Sequence, residues 1–250
     1  MSGHSKWSSI KHKKGKLDAK RGQLFTKLAR DVTMAARGGG DPEMNASLRL
    51  AISKAKDSNM PSANIERAIQ RGAGGSEADN LEEVTYEGYG PGGTAVLVDT
   101  VTDNRNRTVA ELRLAFSRGG GNLAENGAVA WQFEAQGIIT VSTTDNDPDD
   151  VQLAAIEAGA LDVDVSSDGA SVEVYTETGS TVAVREAIAE AGFEVESADL
   201  AKVPQSTVDL DESAATSTLK LLEKLDDIDD VSKVHSNANF PDSVLEAAAG

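Results

Sequence analysis

Cysteine is absent from this 250-residue chain. That excludes a disulfide framework, thiolate zinc sites, iron–sulfur ligation and a cysteine nucleophile. Histidine occurs only at His4, His12 and His235. The first two lie on a polar arm with no Asp or Glu before Asp18, a poor ligand set for a metal. No Ser–His–Asp arrangement stands out, and no catalytic carboxylate pair can be picked from the acidic residues, so an enzyme is not expected. Aromatic residues make up only 4%. Long apolar runs are missing too: Ala95-Val96-Leu97-Val98 falls far short of the ~20 residues of a membrane span. Met1-Ser2-Gly3-His4-Ser5-Lys6-Trp7 has no apolar stretch of the secretory kind. The expectation is a soluble cytoplasmic protein with no metal, no cofactor, no small-molecule substrate and no membrane partner. Its length allows a substantial core in one or two domains.

Charge is abundant, and it is segregated. The net charge of −17 argues against nucleic acid until its distribution is read. Residues 1–72 carry 15 Lys and Arg against 6 Asp and Glu, a local charge of +9. Residues 73–250 carry 9 against 35, a local charge of −26. A basic head on an acidic body calls for a polyanionic partner at one end. The body keeps the protein soluble and repels wrong surfaces.

Residues 1–15 form a basic arm without apolar periodicity. A helix is expected over 17–37, with Phe25, Leu28, Ala29, Val32 and Ala36 on the core face. Phe25 takes a central place in that arc. Lys16, Lys20, Lys27, Arg30 and Arg37 fall roughly opposite, as a positive stripe. Asp41-Pro42-Glu43 reads as the start of a second helix, with Asp41 as N-cap and Met44, Leu48, Ala51, Ile52 and Ala55 inward. Pro61 stops it near Asn59. Ser62 caps a short third helix, with Ile65, Ala68 and Ile69 inward and Gly72 as its C′ residue.

After a linker over 73–80 the period changes. Val84–Tyr86 and Ala95–Val98 read as strands, and 104–118 as a helix with Val109, Leu112, Ala115 and Phe116 inward. Val129, Trp131 and Phe133 alternate like a half-buried strand. Residues 137–203 spell strand (138–142), helix (148–158), two strands around Asp168-Gly169 (162–166 and 171–175), helix (180–191) and strand (193–198). That order is β-α-β-β-α-β, a ferredoxin-like unit. The remaining strand 208–210, helix 213–225 and strand 231–234 need partners, which the incomplete unit over 82–118 supplies. The fold class expected is therefore α+β: a basic arm and three-helix bundle (1–79), a middle α/β domain (80–136 with 204–250), and an inserted ferredoxin-like domain (137–203).

Gly88, Gly90 and Gly93 match the dinucleotide pattern G-x-G-x-x-G. Pro91 interrupts it and a strand follows, so it reads as a hairpin loop. Asp226, Asp227, Asp229 and Asp230 read as a solvated turn. The strongest signal is the basic arm continuing onto one helix face, because Lys and Arg that neutralise phosphates supply sequence-independent affinity for nucleic acid. The second is Asn104-Arg105-Asn106-Arg107 at a helix start, where Arg and Asn suit phosphate or base edges. The competing reading there is a capping box from Thr108 to Glu111. The second and third helices also read as a helix-turn-helix, with Asn64, Glu66, Arg67, Gln70 and Arg71 facing a groove, although any three-helix bundle contains such a pair. The candidate contacts are Lys6, Lys11, His12, Lys13, Lys14, Lys16, Lys20, Arg21, Lys27, Arg30, Asn104, Arg105, Asn106 and Arg107. The two arginines, in an otherwise acidic body, are expected to serve a ligand rather than the fold.

At Gly3-His4-Ser5-Lys6-Trp7, Asp18-Ala19-Lys20-Arg21-Gly22, Asn59-Met60-Pro61, Asn64-Ile65-Glu66-Arg67-Ala68-Ile69, Tyr86-Glu87-Gly88-Tyr89-Gly90-Pro91-Gly92-Gly93 and Thr102-Asp103-Asn104-Arg105-Asn106-Arg107-Thr108 the chain resembles the YebC/PmpR family. The resemblance spans essentially the whole chain. It implies a non-enzymatic three-domain protein, a helical bundle plus two α/β domains with the third inserted in the second. Members are commonly described as probable transcriptional regulators that bind DNA. Related mitochondrial translational activators act on the ribosome and ease synthesis of stretches such as proline runs. The expected partner is therefore DNA or, alternatively, ribosomal RNA on the ribosome; an enzyme using the cleft between the two α/β domains is the third hypothesis. EDTA treatment is expected to leave nucleic-acid binding unchanged; loss of binding, or stoichiometric zinc in purified protein, would refute the metal-free reading.

Overall fold

The computed structural model describes residues 18–74, 80–166 and 169–249, without the side chains of residues 18–20, 242, 246, 248 and 249. The basic arm and Asp168 of the expected hairpin turn lie outside the described residues. The chain is mixed α/β, with antiparallel sheets and eight α-helices among the described residues.

The first helix, α1 (Asp18–Ala36), buries Leu28, Val32 and Ala36 against Leu48 and Ala55 of α2 (Ala46–Asp57), Met60, and Ile65 and Ala68 of α3 (Ser62–Ala73). The core stripe of α1 lies slightly C-terminal to the expected one: Phe25 is only half-buried, at its margin. The N-cap of α2 is Asn45, not Asp41. Its Oδ1 accepts from the Leu48 amide (3.1 Å), while its Nδ2 donates to the carbonyls of Ala35 (2.8 Å) and Gly39 (2.9 Å), tying this helix to the end of α1. Asp41 caps only a local turn, through the Glu43 amide, and Met44 is 86% exposed rather than inward. Asn59 adopts positive φ after α2, a conformation that asparagine tolerates. Ser62 is the first residue of α3, whose N-cap is Pro61, without a side-chain cap. Gly72 lies within α3 rather than just past its end, and it is glycine there because a Cβ would meet the Thr33 carbonyl oxygen at 2.2 Å.

The middle sheet has the order β3-β1-β2-β9. β1 (Glu82–Tyr89) and β2 (Ala95–Thr102) form an antiparallel hairpin closed by the short turn Pro91–Gly93, so the glycine-rich segment is indeed a hairpin loop. Helix α4 (Arg105–Arg118) and β3 (Asn122–Leu123) follow. From the C-terminal part, β9 (Val231–Ser236) pairs antiparallel with β2, and α7 (Glu212–Asp226) packs Leu219, Leu222 and Leu225 against Val96, Val98, Leu112 and Phe116. The tail thus completes the sheet begun at residue 82. A parallel pair, β8 (Val208–Asp209) with β10 (Ala238–Asn239), and α8 (Asp242–Ala249) flank it.

The other sheet has the order β5-β6-β4-β7, every neighbouring pair antiparallel. Its strands are β4 (Phe133–Ser142), β5 (Asp162–Val165), β6 (Ser171–Thr176) and β7 (Val195–Pro204). Helices α5 (Pro148–Glu157) and α6 (Thr181–Glu190) bury Val151, Ala155, Val184 and Ile188 on it. The first and last strands of the unit, β4 and β7, are longer than expected: pairing runs from Phe133 with Pro204 to Val141 with Val195. Both connections to the middle sheet are therefore strands of one ribbon. Trp131 is not in a half-buried strand. It stands 70% exposed in the turn Ala130–Gln132, which buried Glu87 pins by accepting from the amides of Gly127 (2.6 Å), Val129 (2.7 Å) and Ala130 (2.8 Å).

Leu28→Ala is expected to destabilise the protein by about 2–5 kcal/mol, the range for emptying a buried leucine site. Phe25→Ala is expected to cost clearly less. Chemical denaturation followed by helical circular dichroism measures both, and the reverse order would show that the phase of α1 is misassigned.

Candidate nucleic-acid interface

Lys6, Lys11, His12, Lys13, Lys14 and Lys16 lie outside the described residues, and Lys20 is described only as backbone within α1. Arg21 is exposed on α1. Lys27 and Arg30 are not simply solvated. Lys27 Nζ donates to the carbonyl of Asp226, the last residue of α7, where unsatisfied carbonyls favour a cation. Arg30 donates to the Asp229 carbonyl (2.5 Å) and to Asp230 Oδ1 (3.3 Å). Part of the positive stripe is thus a seam between the bundle and the loop 226–230.

That loop is not a solvated turn throughout, because Asp230 is 2% exposed. Its carboxylate accepts from Arg107 Nη2 (2.8 Å to each oxygen), Thr108 Oγ1 (2.8 Å) and Thr102 Oγ1 (3.2 Å). Burial alone would raise the carboxyl pKa; the bonds from Arg107 and Thr108 outweigh it and hold the group below its usual range. Arg107 also pairs with Asp103 (2.9 Å), and Arg105 pairs with Glu82. Helix α4 is capped by Asn104, whose Oδ1 accepts from the Arg107 amide (3.1 Å), while Thr108 is buried, so the Thr108–Glu111 box does not form. Arg107 thus serves the fold, contrary to expectation, because it neutralises a carboxylate that the fold buries. Arg105, Asn106 and Arg107 nevertheless keep exposed surface beside Asn104.

A second charged cluster gives no signal in the sequence. Asp199 of β7 pairs through one oxygen with Lys54 of α2 (2.6 Å) and through the other with Lys233 of β9 (2.6 Å). Asp99 of β2 pairs with Lys202 of β7 and with His235 of β9 (2.5 and 3.0 Å). These residues are scattered over 182 positions and share no spacing. His235 Nδ1 faces the Lys202 amide (3.3 Å), which only donates, so Nε2 carries the proton toward Asp99. Burial holds the His235 pKa below its ordinary value despite Asp99. Burial would raise the carboxyls of Asp99 and Asp199; the partners, His235 foremost for Asp99 and Lys233 for Asp199, bring them well below the usual range. Among the described residues no group of three or more His, Asp or Glu is placed to hold a metal, and no helix is long and apolar enough to cross a membrane.

Two family models cover most of the chain: the TACO1/YebC protein N-terminal domain over residues 5–75, and the TACO1/YebC second and third domain over residues 81–238. The chain belongs to the TACO1/YebC family. It is 54% identical over 247 residues to a probable transcriptional regulatory protein of Dehalococcoides mccartyi, covering 98% of each chain. It is 52% identical over 251 residues to one of Herpetosiphon aurantiacus, covering 100% of this chain and 99% of the other. The crystal structure of a conserved hypothetical protein, Aq1575, from Aquifex aeolicus is similar at a TM-score of 0.84 and 44% identity, over 91% of this chain and 94% of that one. This member of the TACO1/YebC family is expected to lose stability in acid in two stages. A histidine whose folded pKa is depressed contributes fully above its unfolded pKa, about 6.5, and progressively less as pH falls below it. The depressed carboxylates contribute above about pH 4 and are lost as pH falls through their lower folded values. The melting temperature should therefore drop between pH 7 and 5, by about 2–4 °C for each kcal/mol lost. His235→Gln should lower it at pH 7 and flatten that segment; a flat wild-type profile would remove the histidine from the account.

Proposed function

We propose that this chain is a non-enzymatic regulator of gene expression that binds DNA through its N-terminal basic head. In this reading, residues 1–79 are the binding module, residues 80–136 with 204–250 the middle domain, and residues 137–203 the insertion, and the protein works in the cytoplasm. The observation that carries it is the separation of charge: +9 over residues 1–72 against −26 over the rest. Phosphate neutralisation at the head supplies affinity, while repulsion of the acidic body orients the head toward the polyanion. The names of the relatives from Dehalococcoides mccartyi and Herpetosiphon aurantiacus support a regulatory role. The arm, with Lys6, Lys11, His12, Lys13, Lys14 and Lys16, supplies most of the contacts, and Lys20 and Arg21 continue it. Arg105 and Arg107, with Asn104 and Asn106, form a secondary contact of lower weight, since each arginine already shares its charge with a carboxylate.

Replacing Lys11, Lys13, Lys14 and Lys16 with Ala in the full chain is expected to weaken duplex binding without lowering the melting temperature. The slope of log affinity against log salt should become shallower by about 3–4, the contribution of four phosphate contacts. An unchanged slope would refute the role of the arm. Tighter binding to ribosomal RNA than to duplex DNA at matched salt would overturn DNA as the target.

A further inference from the structure

The outer face of α5, the first helix of the insertion, is apolar where a surface helix is normally polar. Val151 and Ala155 of this helix are fully buried on the sheet. At about 100° per residue, Leu153 and Ile156 point roughly the opposite way. They are 57% and 58% exposed, and Leu161, just past the end of the helix, is 55% exposed. Single exposed apolar side chains are ordinary on a protein surface. Here three large ones follow one another between residues 153 and 161. The core of the insertion closes without any of them. The neighbouring helix α6 behaves differently: it buries Val184 and Ile188 and exposes Ala183, Glu186, Ala187 and Glu190. The outward apolar ridge is therefore particular to α5.

The charge around the ridge selects what can cover it. Residues 137–203 carry 15 Asp and Glu against 2 Lys and Arg, a local charge of −13. Of those two cations, Lys202 is paired with Asp99. Asp149, Asp150, Glu157 and Asp162 flank the ridge and are exposed, and no lysine or arginine among the described residues pairs with them. Such a surface repels nucleic acid, and two copies meeting α5 to α5 would bring both sets of carboxylates together. A basic polypeptide meets neither obstacle. The stems of its lysines and arginines cover apolar surface while their charged ends reach the carboxylates. We propose that the outer face of α5 docks a basic amphipathic segment of another protein, with Leu153, Ile156 and Leu161 as the apolar centre and the carboxylates as the rim. The 10 residues of α5 span about 15 Å, so the contact takes about two to three turns of a partner helix. Docking does not rest on the nucleic-acid reading above. Combined with it, the chain joins a polyanion to a basic protein, with opposite ends of its charge distribution serving the two.

The test is a set of anisotropy titrations of the full chain with three labelled synthetic peptides. One is a leucine–lysine peptide with its leucines at i, i+3, i+4 and i+7. The second is a scrambled peptide of the same composition, and the third replaces every lysine of the first with glutamate. Each is titrated at about 0.1 M and about 0.5 M salt, since attraction by charge alone fades over that range. Wild type is expected to bind the basic amphipathic peptide about tenfold or more tighter than the scrambled one at both salts, and the acidic peptide not at all. Leu153→Gln with Ile156→Gln should weaken the amphipathic peptide by about tenfold or more, the worth of covering two half-exposed aliphatic side chains. Leu153→Gln alone should weaken it by about threefold. Glutamine keeps the helix propensity, so the melting temperature should not fall. Leu114→Gln, which removes an exposed leucine from α4, should leave binding unchanged. No binding of the basic amphipathic peptide, equal binding of the scrambled one, or a double variant that binds like wild type overturns the inference. Loss of duplex DNA affinity in the double variant assigns the face to nucleic acid and also overturns it. So does self-association of wild type in light scattering that the double variant abolishes, which assigns the face to a second copy of the chain. Peptide docking by a wild type that fails to bind duplex supports the inference and overturns the nucleic-acid reading alone.

Discussion

Asp199 is the point at which the bundle and both sheets meet. It belongs to β7, and its two oxygens take Lys54 from α2 and Lys233 from β9. A few residues along the same strand, Lys202 reaches Asp99 of β2, which also holds His235. Apolar contact brings the same parts together, since Leu50 of α2 is buried with the core of the second sheet. Hydrophobic contact is non-directional and tolerates sliding, whereas a carboxylate with a fixed partner at each oxygen does not. Lys54, Asp199 and Lys233 are partly exposed, and ion pairs that water reaches contribute little net stability. The cluster is therefore better understood as setting the angles between the three parts than as supplying net stability.

The ribbon of β4 and β7 supports the same constraint. An insertion joined through two separate loops would swing. Here both connecting segments are hydrogen-bonded to each other from Phe133 and Pro204 onward, and the strand that leaves the insertion is the one carrying Asp199 and Lys202. Motion of the insertion must break either ladder bonds or the charge cluster. The bundle is held at a second place by Lys27 and Arg30 on the loop 226–230. Two anchors on different helices, Lys54 on α2 and Lys27 with Arg30 on α1, oppose rotation about either one.

Much of this architecture was legible in the sequence because its cues are local. The triple glycine after α1, Asn59-Met60-Pro61 after α2 and the change from a helical to an alternating period after residue 80 each report on neighbours a few positions away. The order of elements over 137–203 was enough to expect the second sheet, and the unpaired tail was enough to expect that it completes the unit begun at residue 82, though not which strand it pairs with. The errors share one cause. Asp41-Pro42-Glu43 has the chemistry of a helix start, but Asn45 also bonds to the end of α1, and that tertiary advantage moves the cap. Asp230 looks solvated in an acidic run, yet Arg107 and Thr108 lie more than 120 positions away in the chain and meet it in space. Lys54, Asp99, Asp199, Lys202, Lys233 and His235 carry no shared period or spacing, so their cluster exists only once the three parts are assembled.

These pairings change what the charge segregation means. A count of residues assigns every lysine and arginine of the head to a ligand, but Lys27, Arg30 and Lys54 are committed to acidic or carbonyl groups of the body. The head is thus held to the body partly by the attraction between its excess of cations and the body's excess of anions, so the charge asymmetry also closes the fold. The division is spatial. On the side of α2 Lys54 faces Asp199, and on the α3 side Arg67 and Arg71 are exposed. Because Arg30 of α1 and Arg107 of α4 share Asp230, the loop 226–230 is fixed between the bundle and the middle sheet by a buried carboxylate, so that one side chain both closes the charge balance of α4 and anchors the head.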